Sequence, residues 1–277
     1  MSDMSSSVQR GDFSDFINRI DYCSAKDSVE LMTEDFLTEI YKDLPKLGPG
    51  SPETARRVYA ALELPKRPVI LDVGCGTGMT SIELARISGG RVFALDINQT
   101  FLDILKERAT EQSLAERIET IRKDLRSMDF EEDSFDLIWA ESVVFAVGFE
   151  TALKEWRRFL KPGGYLVISL LVRLDDNAPI EAKDYWEHVY PSVMTQDEVQ
   201  DAILKAGYRL LGTLRIPDSD SWENCYGPLE EILGELRNEY ANDKQKRAVL
   251  DMNQREIDIF RKYGSEHYGF LVYSMQA

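Results

Sequence analysis

Three glycines alternate along one short loop, and an aspartate stands just before them. The loop follows the apolar run 69–71 and contains Gly74, Gly76 and Gly78, with Asp72 two residues before the first glycine. Glycine has no Cβ, so the backbone can turn tightly and approach a ligand closely. A helical pattern over residues 79–87 follows, and a helix N-terminus offers N–H groups to a negative ligand group. The segment therefore predicts a binding loop for a nucleotide-like ligand.

Further carboxylates stand where later strand patterns end. Asp96 comes about 20 residues after the glycine loop, where an acid can accept hydrogen bonds from both hydroxyls of a ribose. Asp124 follows the third strand pattern, and Glu141 ends the fourth. A single acid in such a place is otherwise a helix cap or part of a surface turn. Together with the glycine loop, the acids favour a ligand that carries a sugar.

The glycine spacing separates two kinds of nucleotide site. A dinucleotide-binding loop has the pattern G-x-G-x-x-G, or alanine at its last position. Here that position is Met79, and Gly78 instead completes G-x-G-x-G. A nicotinamide-dependent oxidoreductase is therefore disfavoured.

Four segments in order resemble one enzyme family. The glycine loop, Asp96 and Asp124 are followed by the strand pattern around residues 133–142 and by the Lys-Pro-Gly-Gly turn at 161–164. This order is similar to that of the class I S-adenosylmethionine-dependent methyltransferases. The resemblance is nearest to their small-molecule branch, which includes ubiquinone/menaquinone-biosynthesis-like and glycine/sarcosine-type enzymes. It spans residues 69–172 and is looser beyond them.

The resemblance implies S-adenosyl-L-methionine as the cofactor and an in-line displacement at its methyl carbon. The residues that it assigns to cofactor binding are Asp72, Gly74, Cys75, Gly76, Gly78, Asp96, Ile97, Asp124, Leu125 and Glu141. Asp96 is expected at the ribose and Asp124 at the adenine amine, with the backbone N–H of Leu125 facing the ring. Cys75 is expected to pack rather than to react, and no metal site is expected.

The sequence does not decide which residues are catalytic or which bind the methyl acceptor. A general base is needed only if the nucleophile arrives protonated, and the candidates are Glu141 and His188. The candidates for binding the methyl acceptor are Phe145, Trp186, Tyr190, Trp222 and Tyr226. Aromatic side chains attract cationic amines, but packing of the core explains the same residues.

Alternating strand and helix patterns predict the scaffold that positions these residues. Strands are expected at 68–73, 91–96, 118–122, 135–140, 164–172, 208–216 and 267–275. Helices are expected at 26–41, from 52, at 79–88, 99–112, 149–160 and 194–206, and twice within 226–262. The pattern indicates an α/β, doubly wound fold. By resemblance, its mainly parallel sheet has seven strands and the last one is antiparallel.

One large domain with additions is the expected organisation. Residues 1–25 form an N-terminal extension, partly mobile, and residues 26–277 form the methyltransferase domain. The helical insertion at about 218–264 is a candidate lid over the carboxyl ends of the strands, where such sheets bind ligands. Packing of these helices elsewhere on the core is the alternative.

The composition limits the classes of partner that the chain is expected to bind. The formal net charge of −16 disfavours nucleic acid and anionic membranes, since nucleic-acid affinity depends on Lys and Arg at phosphates. Three scattered cysteines exclude a disulfide framework and favour a reducing cytoplasm. No apolar run is long enough to predict membrane insertion. The sequence does not decide whether the chain forms a homodimer.

The sequence therefore predicts a methyltransferase that acts on a small-molecule nucleophile, whether N, O or C. A cofactor-binding protein that has lost transferase activity and acts through an interaction surface is the alternative. Turnover with the cofactor would separate the two.

Overall fold

Short apolar runs form the strands of one central sheet. The computed structural model describes residues 34–190 and 193–277. The strands are β1 (Val69–Val73), β2 (Arg91–Asp96), β3 (Ile118–Arg122), β4 (Phe135–Glu141), β5 (Leu160–Arg173), β6 (Met194–Thr195), β7 (Arg209–Arg215) and β8 (Tyr268–Gln276). The seven expected strands are all present. The Lys-Pro-Gly-Gly turn at 161–164 lies within β5, which begins four residues before the expected strand.

The order of the strands across the sheet is β3-β2-β1-β4-β5-β8-β7. Strands β1 to β5 pair in parallel, whereas β8 runs antiparallel to both β5 and β7. The predicted doubly wound sheet with an antiparallel last strand is thus confirmed. The short strand β6 was not predicted: it pairs with the end of β5, so the helix expected at 194–206 begins at Gln196 instead.

Helices cover both faces of the sheet. They are α1 (Glu34–Tyr41), α2 (Pro52–Ala60), α3 (Met79–Ser88), α4 (Gln99–Glu111), α5 (Phe149–Trp156), α6 (Ile180–Val189), α7 (Gln196–Lys205), α8 (Asp218–Ser221), α9 (Gly227–Glu239), α10 (Lys244–Ile259) and α11 (Ser265–His267). Helix α6 was not predicted. Of the helix expected at 26–41, residues 26–33 lie outside the described part of the chain, as does the N-terminal extension.

Helix α2 begins as its sequence predicts. The hydroxyl of Ser51 accepts a hydrogen bond from the backbone N–H of Thr54 at 3.0 Å, and Pro52 stands at the first helical position. A serine cap satisfies one of the free N–H groups of the first turn, and proline has no N–H there to leave unpaired. The cap therefore fixes the point at which the segment 44–51 ends and the helix begins.

Alternate residues of the strands face two apolar cores. In β1, Ile70 packs on one side with α1, α2, α6 and the helices of the insertion, whereas Leu71 packs on the other side with α5 and α7. The two faces follow from the two-residue repeat of a strand. The insertion therefore forms part of a core layer.

Two helical turns of the insertion are wider than an α turn. Residues Trp222–Tyr226 and Phe260–Gly264 are π-helical. A Cβ on Gly227 would lie 2.7 Å from the carbonyl oxygen of Trp222, and one on Gly264 would lie 2.6 Å from the Phe260 ring. Glycine thus lets each wide turn close.

Among the helices described, none has the length and apolar character needed to cross a bilayer.

Candidate functional site

The glycine loop lines a cavity at the carboxyl ends of β1, β2 and β4. We call it the loop cavity; its empty volume is about 700 Å³, including space open to solvent. The residues that line it are Lys46, Leu47, Gly48, Asp72, Gly74, Cys75, Gly76, Thr77, Gly78, Met79, Thr80, Asp96, Glu141, Ser142 and Val143. Parallel neighbouring strands end at the same edge of the sheet, which is why residues from three strands meet here.

The glycines of the loop are required by conformation and by packing. Gly74 and Gly78 have φ angles of +69° and +88°, a region that glycine tolerates far better than other residues. A Cβ on Gly74 would overlap Val143, and one on Gly78 would overlap Leu105. The loop is also tied to β2, since the backbone N–H of Gly74 donates to the carbonyl oxygen of Leu95 at 2.8 Å.

Asp96 faces the cavity in a fixed orientation. Its Oδ2 accepts a hydrogen bond from the N–H of Gly76 at 2.9 Å, and its Oδ1 accepts one from the N–H of Asn98 at 2.9 Å. A carboxylate oxygen has two lone pairs, so each can accept a further bond. Asp96 can therefore receive two ligand hydroxyls without losing its backbone partners.

Asp72 lies beneath the loop. Burial raises the pKa of Asp72 to about 7, and the hydroxyl of Ser81, which donates to its carboxylate, opposes that rise. The neighbouring carboxylates of Glu141 and Asp96 raise the pKa further, whereas Lys46 lowers it. Asp72 is therefore poised to gain or lose a proton near neutral pH.

Lys46 and Glu141 form an ion pair in the wall of the loop cavity. Their side chains are 10% and 7% exposed. The hydroxyl of Thr80 donates to Glu141 at 2.9 Å and lies 3.1 Å from Nζ of Lys46. Sequence reasoning missed Lys46, because a single lysine in the loop 44–51 belongs to no motif.

The residues expected at the adenine lie apart from the cavity lining. Asp124 is paired with Arg126, with 2.6 Å between Oδ2 and Nη2, and this hydrogen bond holds the pKa of Asp124 below its usual value. Leu125 follows it in a short 3₁₀ turn, and Ile97 is 43% exposed. The N–H of Lys123 donates to the carbonyl oxygen of Asp96 at 3.0 Å, so these residues remain neighbours of the cavity.

Cys75 lines the cavity, but its thiol does not suit nucleophilic chemistry. Burial raises its pKa well above the usual value, and the carboxylates of Asp96 and Asp72 add to that effect. A thiol becomes a nucleophile when its pKa is lowered. The expectation that Cys75 packs rather than reacts therefore agrees with its surroundings.

A second, mostly apolar pocket adjoins the loop cavity at Ser142. Its empty volume is about 500 Å³. The residues that line this apolar pocket are Ser142, Val144, Phe145, Phe149, Leu170, Leu171, Tyr190, Val193, Met194 and Phe270. The candidates Phe145 and Tyr190 meet there, with 5.8 Å between their ring centroids. Such a pocket suits a ligand with a large apolar body.

Ser142 separates the two cavities in an unusual conformation. Its φ angle is +54°, and its N–H donates to the carbonyl oxygen of Ser169 at 3.1 Å. Its buried Oγ has no hydrogen-bond partner within the described residues. A buried polar atom without a partner is costly and requires an explanation. This unpaired oxygen belongs to a residue that lines both cavities.

The remaining candidates line neither cavity. Trp186 is fully buried and stacks on Tyr190, with 5.7 Å between the ring centroids. Trp222 and Tyr226 pack together at 5.6 Å within the insertion. His188 is exposed on α6. For Trp186, Trp222 and Tyr226 the arrangement favours the core-packing interpretation.

Known proteins share this sequence pattern and fold. A family model described as a methyltransferase domain matches residues 71–168. The chain is 30% identical over 169 residues to a sterol 24-C-methyltransferase of Saccharomyces cerevisiae, an alignment that covers 58% of this chain and 44% of that protein. It is 28% identical to an O-methyltransferase of Penicillium expansum, covering 68% and 73% of the two chains. The chain thus spans about half the length of the sterol methyltransferases that it matches.

A solved structure shows the same fold over nearly its whole length. It is a SAM-dependent methyltransferase from Geobacter sulfurreducens in complex with S-adenosyl-L-homocysteine. The TM-score is 0.76 at 20% sequence identity, and the match covers 88% of this chain and 98% of that one. At this identity the likeness establishes the fold.

Proposed function

We propose that this chain, whose residues 71–168 match a methyltransferase domain, is a class I S-adenosylmethionine-dependent methyltransferase that transfers a methyl group to a small-molecule nucleophile held in the apolar pocket. The observation that carries the proposal is the junction of the loop cavity and the apolar pocket at Ser142. A cofactor bound on one side of Ser142 and an acceptor on the other would meet there.

The cofactor of this domain family is S-adenosyl-L-methionine, and the residues of the loop cavity fit it. The cofactor carries an ammonium, a carboxylate, a sulfonium and a ribose diol. The cavity offers three carboxylates, from Asp72, Asp96 and Glu141, and the ammonium of Lys46. We assign Asp96 to the ribose hydroxyls and Lys46 to the cofactor's carboxylate. Asp72 and Glu141 supply negative charge for the cationic groups.

We extend the cofactor site to the end of β3. Asp124, Leu125 and Ile97 stand beside the β2 end that carries Asp96. To accept a bond from the adenine amine, Asp124 must give up or share its partner Arg126. Ile97 exposes apolar surface that suits the face of a base.

The protein mainly aligns the reactants and excludes water. When bound, the cofactor supplies an activated methyl group on a sulfonium leaving group. The apolar walls around Phe145 and Phe149 keep water from the acceptor, and a fixed geometry removes much of the entropic barrier. We assign Glu141 to the cofactor rather than to proton transfer, because its carboxylate is paired with Lys46 and bonded to Thr80.

The acceptor is proposed to be a small molecule with a large apolar part. The apolar pocket supports this. The names of two relatives indicate a sterol as the acceptor in one protein and an oxygen atom as the methylated group in the other. The acidic surface opposes nucleic acid, and the few cysteines favour the cytoplasm. A homodimer is compatible with this site, since residues of one chain line both cavities.

Two measurements test the proposal. Calorimetry with S-adenosyl-L-methionine and with its demethylated product should show binding to the loop cavity. A panel of sterols, phenols and apolar amines, incubated with cofactor labelled on the methyl group, should yield a labelled product. Cofactor binding without turnover of any acceptor class would favour the alternative of a binding protein that lacks transferase activity. No binding of either compound would overturn the assignment of the cavity.

A further inference from the structure

Ser142 carries a hydroxyl that the fold itself does not use. Its Oγ is buried and has no hydrogen-bond partner within the described part of the chain, although Ser142 lines both the loop cavity and the apolar pocket. A hydroxyl can donate one hydrogen bond and accept two. An unpaired buried hydroxyl destabilises the folded state, so an apolar side chain here would serve folding at least as well. A ligand therefore explains this hydroxyl better than the fold does.

The backbone of Ser142 is held in a strained conformation directly after β4. Its φ of +54° lies in a region that few residues other than glycine adopt. The N–H of Ser142 donates to both the carbonyl oxygen and the Oγ of Ser169, each at 3.1 Å, and Ser169 is fully buried in β5. Strain of this kind persists only where the surrounding structure enforces it, and it is concentrated at functional sites. Ser169 thus fixes the point from which the Ser142 side chain projects.

Gly48 leaves space beside the same side chain. A Cβ on Gly48 would lie 3.3 Å from the Cβ of Ser142 and 3.4 Å from its Oγ. Gly48 belongs to the segment 44–51 and itself lines the loop cavity. Rotation about the Cα–Cβ bond of Ser142, between its staggered positions, can turn the hydroxyl toward a ligand group. The missing Cβ on Gly48 leaves the side chain room for this movement.

The surroundings of Ser142 favour the methyl acceptor over the cofactor as its partner. In the loop cavity the charged groups of the proposed cofactor can meet charged side chains, which are those of Lys46, Asp72, Asp96 and Glu141. The apolar pocket is lined mainly by hydrocarbon and aromatic side chains. Pockets of this kind use a few placed polar groups to orient a ligand. A neutral hydroxyl where the two cavities meet suits a neutral polar group on an otherwise apolar molecule.

We propose that Ser142 accepts a hydrogen bond from an O–H group of the methyl acceptor and holds that oxygen where the two cavities meet. The inference rests on the proposed function and deepens it: the acceptor is an alcohol or a phenol rather than an alkene. An alkene carbon has no such proton to donate and would leave the serine hydroxyl unpaired. The acceptor oxygen uses a lone pair to form the O–CH₃ bond, the electron pair of the broken C–S bond stays on sulfur, and the O–H proton is released to water.

Two probes of the same shape, one with a hydroxyl and one without, test this role. We choose 2-naphthol and 2-methylnaphthalene, measured by equilibrium dialysis at pH 7, where a phenol stays protonated, with and without S-adenosyl-L-homocysteine. Ser142→Ala removes the hydroxyl, and Ser142→Gly removes it and also relieves the positive φ. Ser113→Ala is the matched control, because Ser113 is exposed and has a φ of +58°.

We expect the ratio of 2-naphthol affinity to 2-methylnaphthalene affinity to fall at least tenfold in Ser142→Ala and in Ser142→Gly. A site that pairs a substrate hydroxyl discriminates strongly against the analogue that lacks it. Ser113→Ala should keep the wild-type ratio. An unchanged ratio in the two Ser142 variants, or no binding of 2-naphthol to the wild type, would overturn the proposal.

Thermal unfolding separates a ligand-binding role from a structural one. Both Ser142 variants should melt at or above the wild-type temperature, because each removes an unpaired buried hydroxyl. A lower melting temperature in both, or failure of both to fold, would assign the hydroxyl to the fold and overturn the proposal. Calorimetry with S-adenosyl-L-homocysteine on the same samples tests the proposed function separately. Normal cofactor binding with an unchanged probe ratio would refute only the role of Ser142.

Discussion

Lys46 and Glu141 are 95 residues apart in the chain, yet they form an ion pair in the wall of the loop cavity. The pair joins the loop that precedes α2 to the end of β4. Removing one partner of a buried pair leaves an uncompensated charge, which costs about 3 to 5 kcal/mol. The pair therefore links the stability of the fold to the integrity of the cofactor site.

Lys46→Met should weaken binding of S-adenosyl-L-methionine at least tenfold and lower the melting temperature. The substitution removes the cation proposed for the cofactor's carboxylate and leaves Glu141 unpaired. Calorimetry and thermal unfolding measure the two effects. Lys66→Met, at an exposed position, is the control. In the double variant with Glu141→Gln, stability should recover but cofactor affinity should not; recovery of both would refute the role of Lys46.

Asp96→Ala should lower cofactor affinity tenfold or more. The substitution removes the acceptor for both ribose hydroxyls, and a hydrogen bond to a charged group contributes about 1.5 to 3 kcal/mol. The matched control is Asp103→Ala, on the exposed surface of α4. An unchanged dissociation constant in a folded Asp96→Ala protein would rule out the ribose assignment.

Asp124→Ala and Arg126→Ala should act in opposite ways. If Asp124 accepts a bond from the adenine amine, its removal weakens cofactor binding several-fold. Removal of Arg126 frees the carboxylate and should leave binding as tight or tighter. Calorimetry of the two variants at one salt concentration is sufficient. Loss of affinity in Arg126→Ala alone would mean that the ion pair, and not Asp124 by itself, shapes the site.

Gly78→Ala should destabilise the protein, whereas Gly234→Ala should not. A Cβ at Gly78 would overlap Leu105 and force a φ of +88° on alanine. Gly234 lies inside α9 with nothing within 4 Å of the new Cβ, so alanine there should gain about 0.5 to 1 kcal/mol. Denaturant unfolding of the two variants provides the comparison. Equal stabilities would contradict the packing described for the loop.

Asp72 and Glu256 should each make the free energy of unfolding fall as the pH rises from about 4 to about 7. The folded-state pKa values of Asp72 and Glu256 are raised by burial from 3.8 and 4.5 to about 7. In this window each of the two groups holds more proton in the native state than in the unfolded state, so its contribution to stability is greatest at the acid end. Each group contributes about 1.4 kcal/mol per pH unit to the slope.

Denaturant titrations of Glu256→Gln and Asp72→Asn across that window should each show a shallower slope than the wild type. The exposed control Glu231→Gln should keep the wild-type slope. A slope unchanged by either substitution would mean that the group is ionised in the folded protein throughout the window.

The glycine loop and the strand-end acids could be predicted because local rules specify them. The pattern of Gly74, Gly76 and Gly78 is a conformational requirement, and Asp96 follows from its distance to that loop. The doubly wound arrangement came from the alternation of patterns, and the antiparallel direction of the last strand came from the family resemblance. These features depend on neighbours in sequence or on a repeated fold.

Lys46 could not be predicted in the same way. It belongs to the candidate site only through Glu141, which is far away in the chain. Lys46 stands in a segment before the parallel core, where the resemblance gives no guidance. Helix α6 has no side-chain cap at its N-terminus to signal its start, although its buried residues Ala182, Tyr185, Trp186 and Val189 follow the spacing of one helix face.

A π-helical turn holds one residue more than an α turn in the same place, and the insertion has two of them. Because the extra residue is absorbed within the turn, the helix that follows keeps its direction and its buried face. Deleting one residue from 222–226 should therefore leave the fold in place but withdraw Tyr226 from its hydrogen bond to Glu256. Each wide turn thus works as a local spacer that sets where one aromatic side chain meets its neighbours.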